Sequence, residues 1–203
     1  IIPRYGPQAS KAPKSALEVV STALKVLSDT ITGMKHPFLT QLDTQIEGNL
    51  ILTNTINQAS TDQDIKVIII SAQGPVFCAG HDLKEIRAER RMVMQRRDFA
   101  LGARMIRAIS EIPQVTIAAI HGVALGGGAC IPTACDFRIA TEDAVCGYPE
   151  VNLGMNLMWQ SLPLCVRLIG PARAKRMIML GDKESARTLL DWGFLDKVVP
   201  VEE

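Results

Sequence analysis

Two short runs of β-branched residues, each released into a loop of small residues, restrict this chain more than any other feature. Ile65 to Ile70 reads IKVIII, and Val115 to Ile120 reads VTIAAI. Short, nearly continuous apolar runs mark strands buried on both faces, as in a parallel sheet covered by helices. A third strand, Phe137 to Ala140, follows Cys135-Asp136. Helix-length segments lie around these strands. Leu50 to Ala59 places Leu50, Leu52, Ile56 and Ala59 in a helix-compatible pattern. Glu85 to Ile112 carries Phe99, Met105, Ile106 and Ile109 on an apolar face, and Gly126 to Ala134 is a shorter helix. Strands alternating with helices predict βαβ connections and mainly parallel pairing. Trp159 to Trp192 reads as successive helices punctuated by Gly170-Pro171, Gly181 and Gly193, with Leu195 to Val199 a final strand. Upstream, Ile1 to Lys14 holds three prolines and reads as a loose arm or pairing edge, and Ala16 to Leu27 fits strand or helix equally.

The 203 residues suffice for one α/β domain with a core. With 47% hydrophobic and 21% charged residues, the composition is that of an ordinary globular protein. A net charge of +1 provides no field to recruit nucleic acid or an anionic membrane, and 4% aromatics argues against base stacking. The five cysteines are scattered, odd in number and without a CxxC pair, and the three histidines fall in no ligand spacing. No metal site or disulfide framework is expected; reduced, mostly buried thiols are. No apolar run approaches the ~20 residues that cross a bilayer. Residues 1–17 carry Arg4, Lys11 and Lys14 and no acid, faintly like a transit peptide. A cytoplasmic setting is expected, with a mitochondrial one as the alternative.

The most informative segment is His121-Gly122-Val123-Ala124-Leu125-Gly126-Gly127-Gly128-Ala129-Cys130. It follows a buried strand and opens a helix, so free N–H groups and the positive end of the helix dipole face outward. The three glycines would let a ligand approach the backbone with no Cβ in the way. Three readings compete. A phosphate loop would need Gly-Lys-Ser/Thr, which is missing, and a dinucleotide fingerprint would need G-x-G-x-x-G, which the spacing does not match. The glycines could also serve close strand–helix packing alone. A second small-residue loop, Phe77-Cys78-Ala79-Gly80-His81-Asp82-Leu83, tips the balance. Two parallel strands ending in such loops bring two sets of amides to one carboxyl edge of a sheet, where α/β folds bind ligands. Two converging N–H groups are what an oxyanion hole requires.

Three stretches in this order resemble the enoyl-CoA hydratase/isomerase (crotonase) family: IKVIIISAQGPVFCAGHDLKE, then PQVTIAAIHGVALGGGACIPTACDFRIATEDAVCGYPEVNLGM, then RLIGPARAKRMIMLGDKESARTLLDWGFLDKVVP. The likeness runs from about Ile65 to Val199. It implies an α/β fold of the ClpP/crotonase type, a ββα spiral with a mainly parallel sheet and a helical C-terminal part. Residues 50–203 would form the core domain, with C-terminal helices truncated, and 1–49 a poorly matched N-terminal segment. The resemblance further implies that Ala79 and Gly127 donate to a thioester carbonyl and that Glu150 is the catalytic acid/base. Ala79, Gly80, His81, Asp82, Leu83, Gly126, Gly127 and Cys130 would line the acyl-CoA path. Coenzyme A would enter as part of the substrate, without a further cofactor or metal. A homotrimer or hexamer is implied if C-terminal helices exist in the native chain.

The chain departs from that pattern at informative places. Where hydratases of this family keep a first glutamate there is Cys130, a mostly protonated thiol that cannot share a water as a carboxylate does. One remaining carboxylate suits a proton shuttle between two carbons, as in Δ3,Δ2-enoyl-CoA isomerases; the alternative is a catalytically weak acyl-CoA-binding paralogue. Pro132 stands within the helix opened by the glycines and removes one backbone bond. Gly154-Met155-Asn156-Leu157-Met158-Trp159-Gln160-Ser161 replaces a glycine-rich stretch, so Trp159 and the methionines should make that wall bulkier.

Overall fold

The computed structural model describes residues 38–42, 46–80 and 92–201. Ala16 to Leu27, His81 to Leu83 and the first turns of the expected helix from Glu85 lie outside them. Strand β1 (Phe38–Leu42) and helix α1 (Ile46–Thr61) lead into β2 (Val67–Ala72), then α2 (Met92–Glu111) and β3 (Val115–Ile120). After these come β4 (Val123–Leu125), α3 (Gly127–Ala134), β5 (Phe137–Thr141), β6 (Val145–Gly147) and a 3₁₀ turn at Pro149–Leu153. The chain ends with α4 (Leu162–Lys175), a π-helical turn (Arg176–Leu180), β7 (Lys183–Ser185), α5 (Ala186–Trp192) and β8 (Lys197–Val199).

Five strands form one parallel sheet in the order β1-β2-β3-β5-β8. Its middle strands explain the β-branched runs. Ile68 and Ile70 of β2, with Ala118 and Ile120 of β3, point into the main core, which Leu52, Met105 and Ile106 fill from the helices. Their alternates Val67, Ile69, Ile117 and Ala119 form a second buried cluster with Ile139 and Val199. Both faces are covered, so both phases of the alternation are apolar. Each fully buried isoleucine contributes about 1.5–3 kcal/mol through removal of its surface from water.

Besides shifted ends of the first helix (Ile46–Thr61) and the last strand (Lys197–Val199) and a strand at Phe38–Leu42 that the pattern does not show, three features differ from the sequence reading. First, β2 begins at Val67, because pairing starts where Val115 N donates to the Lys66 carbonyl, 3.2 Å. Second, a small sheet, β4-β6-β7, stands beside the large one, with β4 and β6 parallel and β7 antiparallel. Its members are three residues long, too short to show a period. Third, the helical run from Trp159 is interrupted by β7, and within α4 by Gly170 at φ 77° ahead of Pro171. Gly181 and Gly193 close their helical turns in left-handed conformation, as the punctuation indicates. The two sheets make the spiral visible. β3, β4 and α3 form one turn; β5, β6 and α4 form the next, each giving one strand to the large sheet and one to the small.

Arg138 locks these turns together from a site only 4% exposed. Its Nε donates to Phe194 O at 2.6 Å and Nη1 to Cys135 O at 2.5 Å. Nη2 donates to Asp136 O at 3.0 Å and to Asp196 Oδ2 at 3.1 Å. One guanidinium thus satisfies the end of α3 and the turn before β8 at once. Substituting Arg138→Met leaves those carbonyls and Asp196 without their cation, at an expected cost of about 3–5 kcal/mol. Lysine, lacking the planar fork, should recover little of it. Urea denaturation midpoints of the wild type and both variants check this.

Candidate active site

The site grows from the carboxyl ends of β2 and β3. After Ala72 the chain turns back so that Phe77 N donates to His121 O and Cys78 N to Val123 O, both 2.9 Å. Leu125 N returns a bond to Cys78 O, also 2.9 Å, and Cys78 stands in parallel register with Ala124. This stub of ladder holds the two loops side by side. A Cβ on Gly80 would lie 3.4 Å from Gly127 N. Beyond the stub, Ala79 N donates to none of the described residues. Gly127 opens α3, where first-turn amides have no partner within the helix. Ala129 N and Cys130 N donate to Gly126 O, while the Gly127 amide donates to none of the described residues. Ala79, Gly80, Gly126 and Gly127 all line one cavity of about 290 Å³.

Of the readings the sequence leaves open for the glycines, close packing is the one their surroundings support. Gly126, at φ 57° and ψ −122°, makes a turn that side chains disfavour, and a Cβ there would sit 3.2 Å from Glu150 Oε1. A Cβ on Gly127 would lie 2.4 Å from the Trp159 ring, and one on Gly128 2.0 Å from Cys78 O. The vacated space is filled by the protein's own groups.

Glu150 reaches the same cavity from the 3₁₀ turn that follows β6, beside Gly126. That turn is anchored beneath by Tyr148, fully buried, whose hydroxyl is hydrogen-bonded to Thr133 Oγ1 of α3. It closes at Gly154 in left-handed conformation, where Met155 N donates to Glu150 O at 3.0 Å. The carboxylate lines the cavity, and its Oε2 is buried with no hydrogen-bond partner among the described residues. Burial pushes the Glu150 pKa above the ordinary carboxylate value, because the charged form loses hydration.

Cys130 stands elsewhere. It is fully buried one turn into α3, and its sulfur accepts a hydrogen bond from Ser161 Oγ at 2.9 Å, behind the wall rather than on it. Burial, the largest influence, raises its pKa well above the usual thiol value, so it stays neutral. All five cysteines are free and buried, as their scatter indicates. His81, Asp82 and Leu83 lie outside the described residues. Pro132 is accommodated inside α3, every residue of which is buried. Among the described residues no group of three or more His, Cys, Asp or Glu side chains is placed to hold a metal ion, and no helix is long and apolar enough to cross a membrane.

The remaining walls are apolar: Phe99 of α2, Leu125, and Met155 to Trp159 with Asn156 among them. Trp159 and Met158 stand where the altered stretch places them. Phe99 is recognisable in the sequence only as part of a helix face. The signal for its neighbourhood was Gly102, an interior helical glycine, which costs about 1 kcal/mol unless something approaches it closely. The Trp159 indole does, 2.1 Å from where a Cβ on Gly102 would be.

A sequence model of the family described as enoyl-CoA hydratase/isomerase matches residues 43–203. The chain is 39% identical over 154 residues to the enoyl-CoA isomerase/hydratase fer4 of Mycosarcoma maydis, covering 74% of this chain and 55% of that protein. It is 34% identical over 156 residues to the crotonyl-CoA hydratase of Syntrophomonas wolfei subsp. wolfei, covering 76% and 59%. Among solved structures, the enoyl-CoA hydratase of Bacillus anthracis superposes with a TM-score of 0.73 at 36% identity, over 79% of this chain and 62% of that one. This chain therefore spans little more than half the length of such curated relatives. Its parallel sheet, its paired strand-end loops and this sequence match together place the chain in the enoyl-CoA hydratase/isomerase (crotonase) family.

Proposed function

We propose that this protein moves a proton between two carbons of an enoyl-CoA thioester, with Glu150 as the shuttle. The observation that carries this reading is that Glu150 is, among the described residues, the one ionisable side chain lining the cavity. In the proposed reaction the thioester oxygen sits between the amides of Ala79 and Gly127. Glu150 removes a proton from C2 of a 3-enoyl thioester. The electron pair left behind delocalises through the C3–C4 double bond and onto the carbonyl oxygen as a dienolate. Returning the same proton to C4 leaves the double bond at C2–C3, conjugated with the thioester. No electrons are exchanged with any other group, so the step asks for no redox partner.

Three properties of the site support the assignment. The developing negative charge falls where unclaimed N–H groups and the α3 dipole provide a fixed positive field; one such donor is worth about 2.7–4 kcal/mol in a comparable site. Burial of the carboxylate, whose Oε2 has no hydrogen-bond partner among the described residues, raises its basicity toward the range useful for carbon acids. A two-acid hydration route needs a second carboxylate to hold water, and Cys130 is a neutral thiol behind the wall. The names of the relatives cover both isomerases and hydratases. Hydration of a 2-enoyl thioester should therefore be measured alongside, and it should be the slower reaction.

Substituting Glu150→Gln preserves the shape of the side chain but removes the base. Turnover of a 3-enoyl-CoA should fall by about 10²–10⁴-fold, with binding of the saturated acyl-CoA little changed. Undiminished turnover in E150Q would falsify the role given to Glu150, while acyl-CoA binding by the wild type without any turnover would point to a carrier.

The pH profile provides an independent check. As a base Glu150 must be ionised, and burial raises its pKa above 4.5. The acid limb of kcat/KM should accordingly have its midpoint above that value, with activity rising as pH increases through it. The stability sign is opposite: a carboxyl with raised folded pKa costs folding free energy once ionised, so its contribution is lost as pH rises through that pKa. A limb at or below 4.5, or one that persists unchanged in E150Q, would assign the titration to another group.

A further inference from the structure

We infer that Trp159 is the specificity-determining residue of this site: its indole closes the acyl cavity along α2 and confines the protein to short acyl groups. The inference rests on the acyl-CoA reading above and concerns which acyl group that site accepts.

Two contacts locate the ring. A Cβ on Gly127 would lie 2.4 Å from Trp159 Cζ3, and one on Gly102 would lie 2.1 Å from Trp159 Cε2. The indole therefore spans from the helix that offers the Gly127 amide to the helix that carries Phe99. Phe99 and Gly102 are one turn apart on α2, about 4.5 Å along its axis. The cavity is thus bounded along α2 by Phe99, and then by an indole filling the notch at Gly102. An acyl chain whose carbonyl lies between Ala79 and Gly127 meets that ring within its first carbons if it runs along α2.

The ring is also held on both sides. Gln160, next in the chain, has φ 64°, a left-handed conformation that costs a non-glycine residue about 1–2 kcal/mol, and its Oε1 accepts from Arg107 Nη2 of α2 at 3.2 Å. Ser161, one residue further, donates to Cys130 of α3 at 2.9 Å. The tryptophan is tied through its neighbours to both helices it touches, and it is only 9% exposed. A wall held in this way excludes by shape rather than yielding to a longer chain. A merely structural tryptophan would change stability on truncation but leave the preference among acyl groups untouched.

The test uses the full chain as wild type, Trp159→Ala and Trp159→Phe. Butyryl-CoA and decanoyl-CoA affinities are measured by calorimetry, and turnover with the corresponding 3-enoyl thioesters. Wild type should favour the short thioester. The long-to-short affinity ratio should rise by at least ~10-fold in W159A and by less in W159F, since one methylene in an apolar pocket is worth about that factor. Should W159A not fold, W159F still carries the test. Gly102→Ala, which pushes the ring toward the cavity, should move the ratio the other way. An unchanged ratio in folded W159F and G102A overturns the inference and leaves the acyl-CoA reading standing. Failure of wild type to bind either thioester overturns both.

Discussion

The site depends on a stub of ladder only a few bonds long. Cys78 and the strand leaving Gly122 exchange backbone hydrogen bonds at 2.9 Å, and this pins the end of one turn of the spiral to the start of the next. Buried backbone groups must find partners, and here nearly every one near the stub does. The exceptions are the amides just past the point where the ladder stops. Their direction is fixed by the paired groups before them, so they need no reorganisation when charge appears. Such preorganisation separates a catalytic donor from a merely exposed one. Gly128 is part of the same device, because any side chain there would push the Cys78 carbonyl away and separate the loops.

What the sequence made legible follows from the length over which each constraint acts. Strand β3 coincides with Val115–Ile120 because Pro113 and Gly122 bound it and both of its faces are buried. Helix α3 and the loops at Ala79 and Gly127 were equally clear, since strand, turn and helix follow within a dozen residues. The small sheet was invisible. Val123–Leu125 and Val145–Gly147 are too short to show alternation, and Lys183–Ser185 is polar apart from its pairing. The glycine triplet was half legible. Its place at the start of a helix was readable, but the missing Cβ atoms make room for Trp159 and Cys78, contacts that come from far along the chain. For Cys130 the loss of a carboxylate could be read directly. Its retreat behind the wall could not, because it depends on Ser161, thirty-one positions later.

Burial acts on the two sides of the site in opposite senses. In the proposed reaction, exclusion of water around the Ala79 and Gly127 amides would strengthen the field they present to a developing oxyanion. Around Glu150 the same exclusion penalises the resting carboxylate, leaving Oε2 without a partner and its pKa raised. In the proposed reaction, a charge held at some cost in the resting site and released by transfer to an oxygen that the amides favour would lower the barrier from both ends. Tyr148 keeps the two ends in register, since its hydroxyl ties the turn bearing Glu150 to Thr133 on the helix that begins at Gly127.

Trp159 brings shape into the same balance. Its ring packs where a side chain on Gly127 would stand, and on the proposed reading it takes space that an acyl chain would otherwise occupy. A smaller residue there would admit longer substrates but also solvent, and would weaken the field that makes the chemistry possible. The two polar contacts that hold the indole's neighbours, Arg107 to Gln160 and Ser161 to Cys130, lie apart from the cavity lining. They contribute by keeping a bulky apolar wall immobile against a glycine backbone. On the proposed reading, selectivity and electrostatic strength would therefore depend on the same side chain.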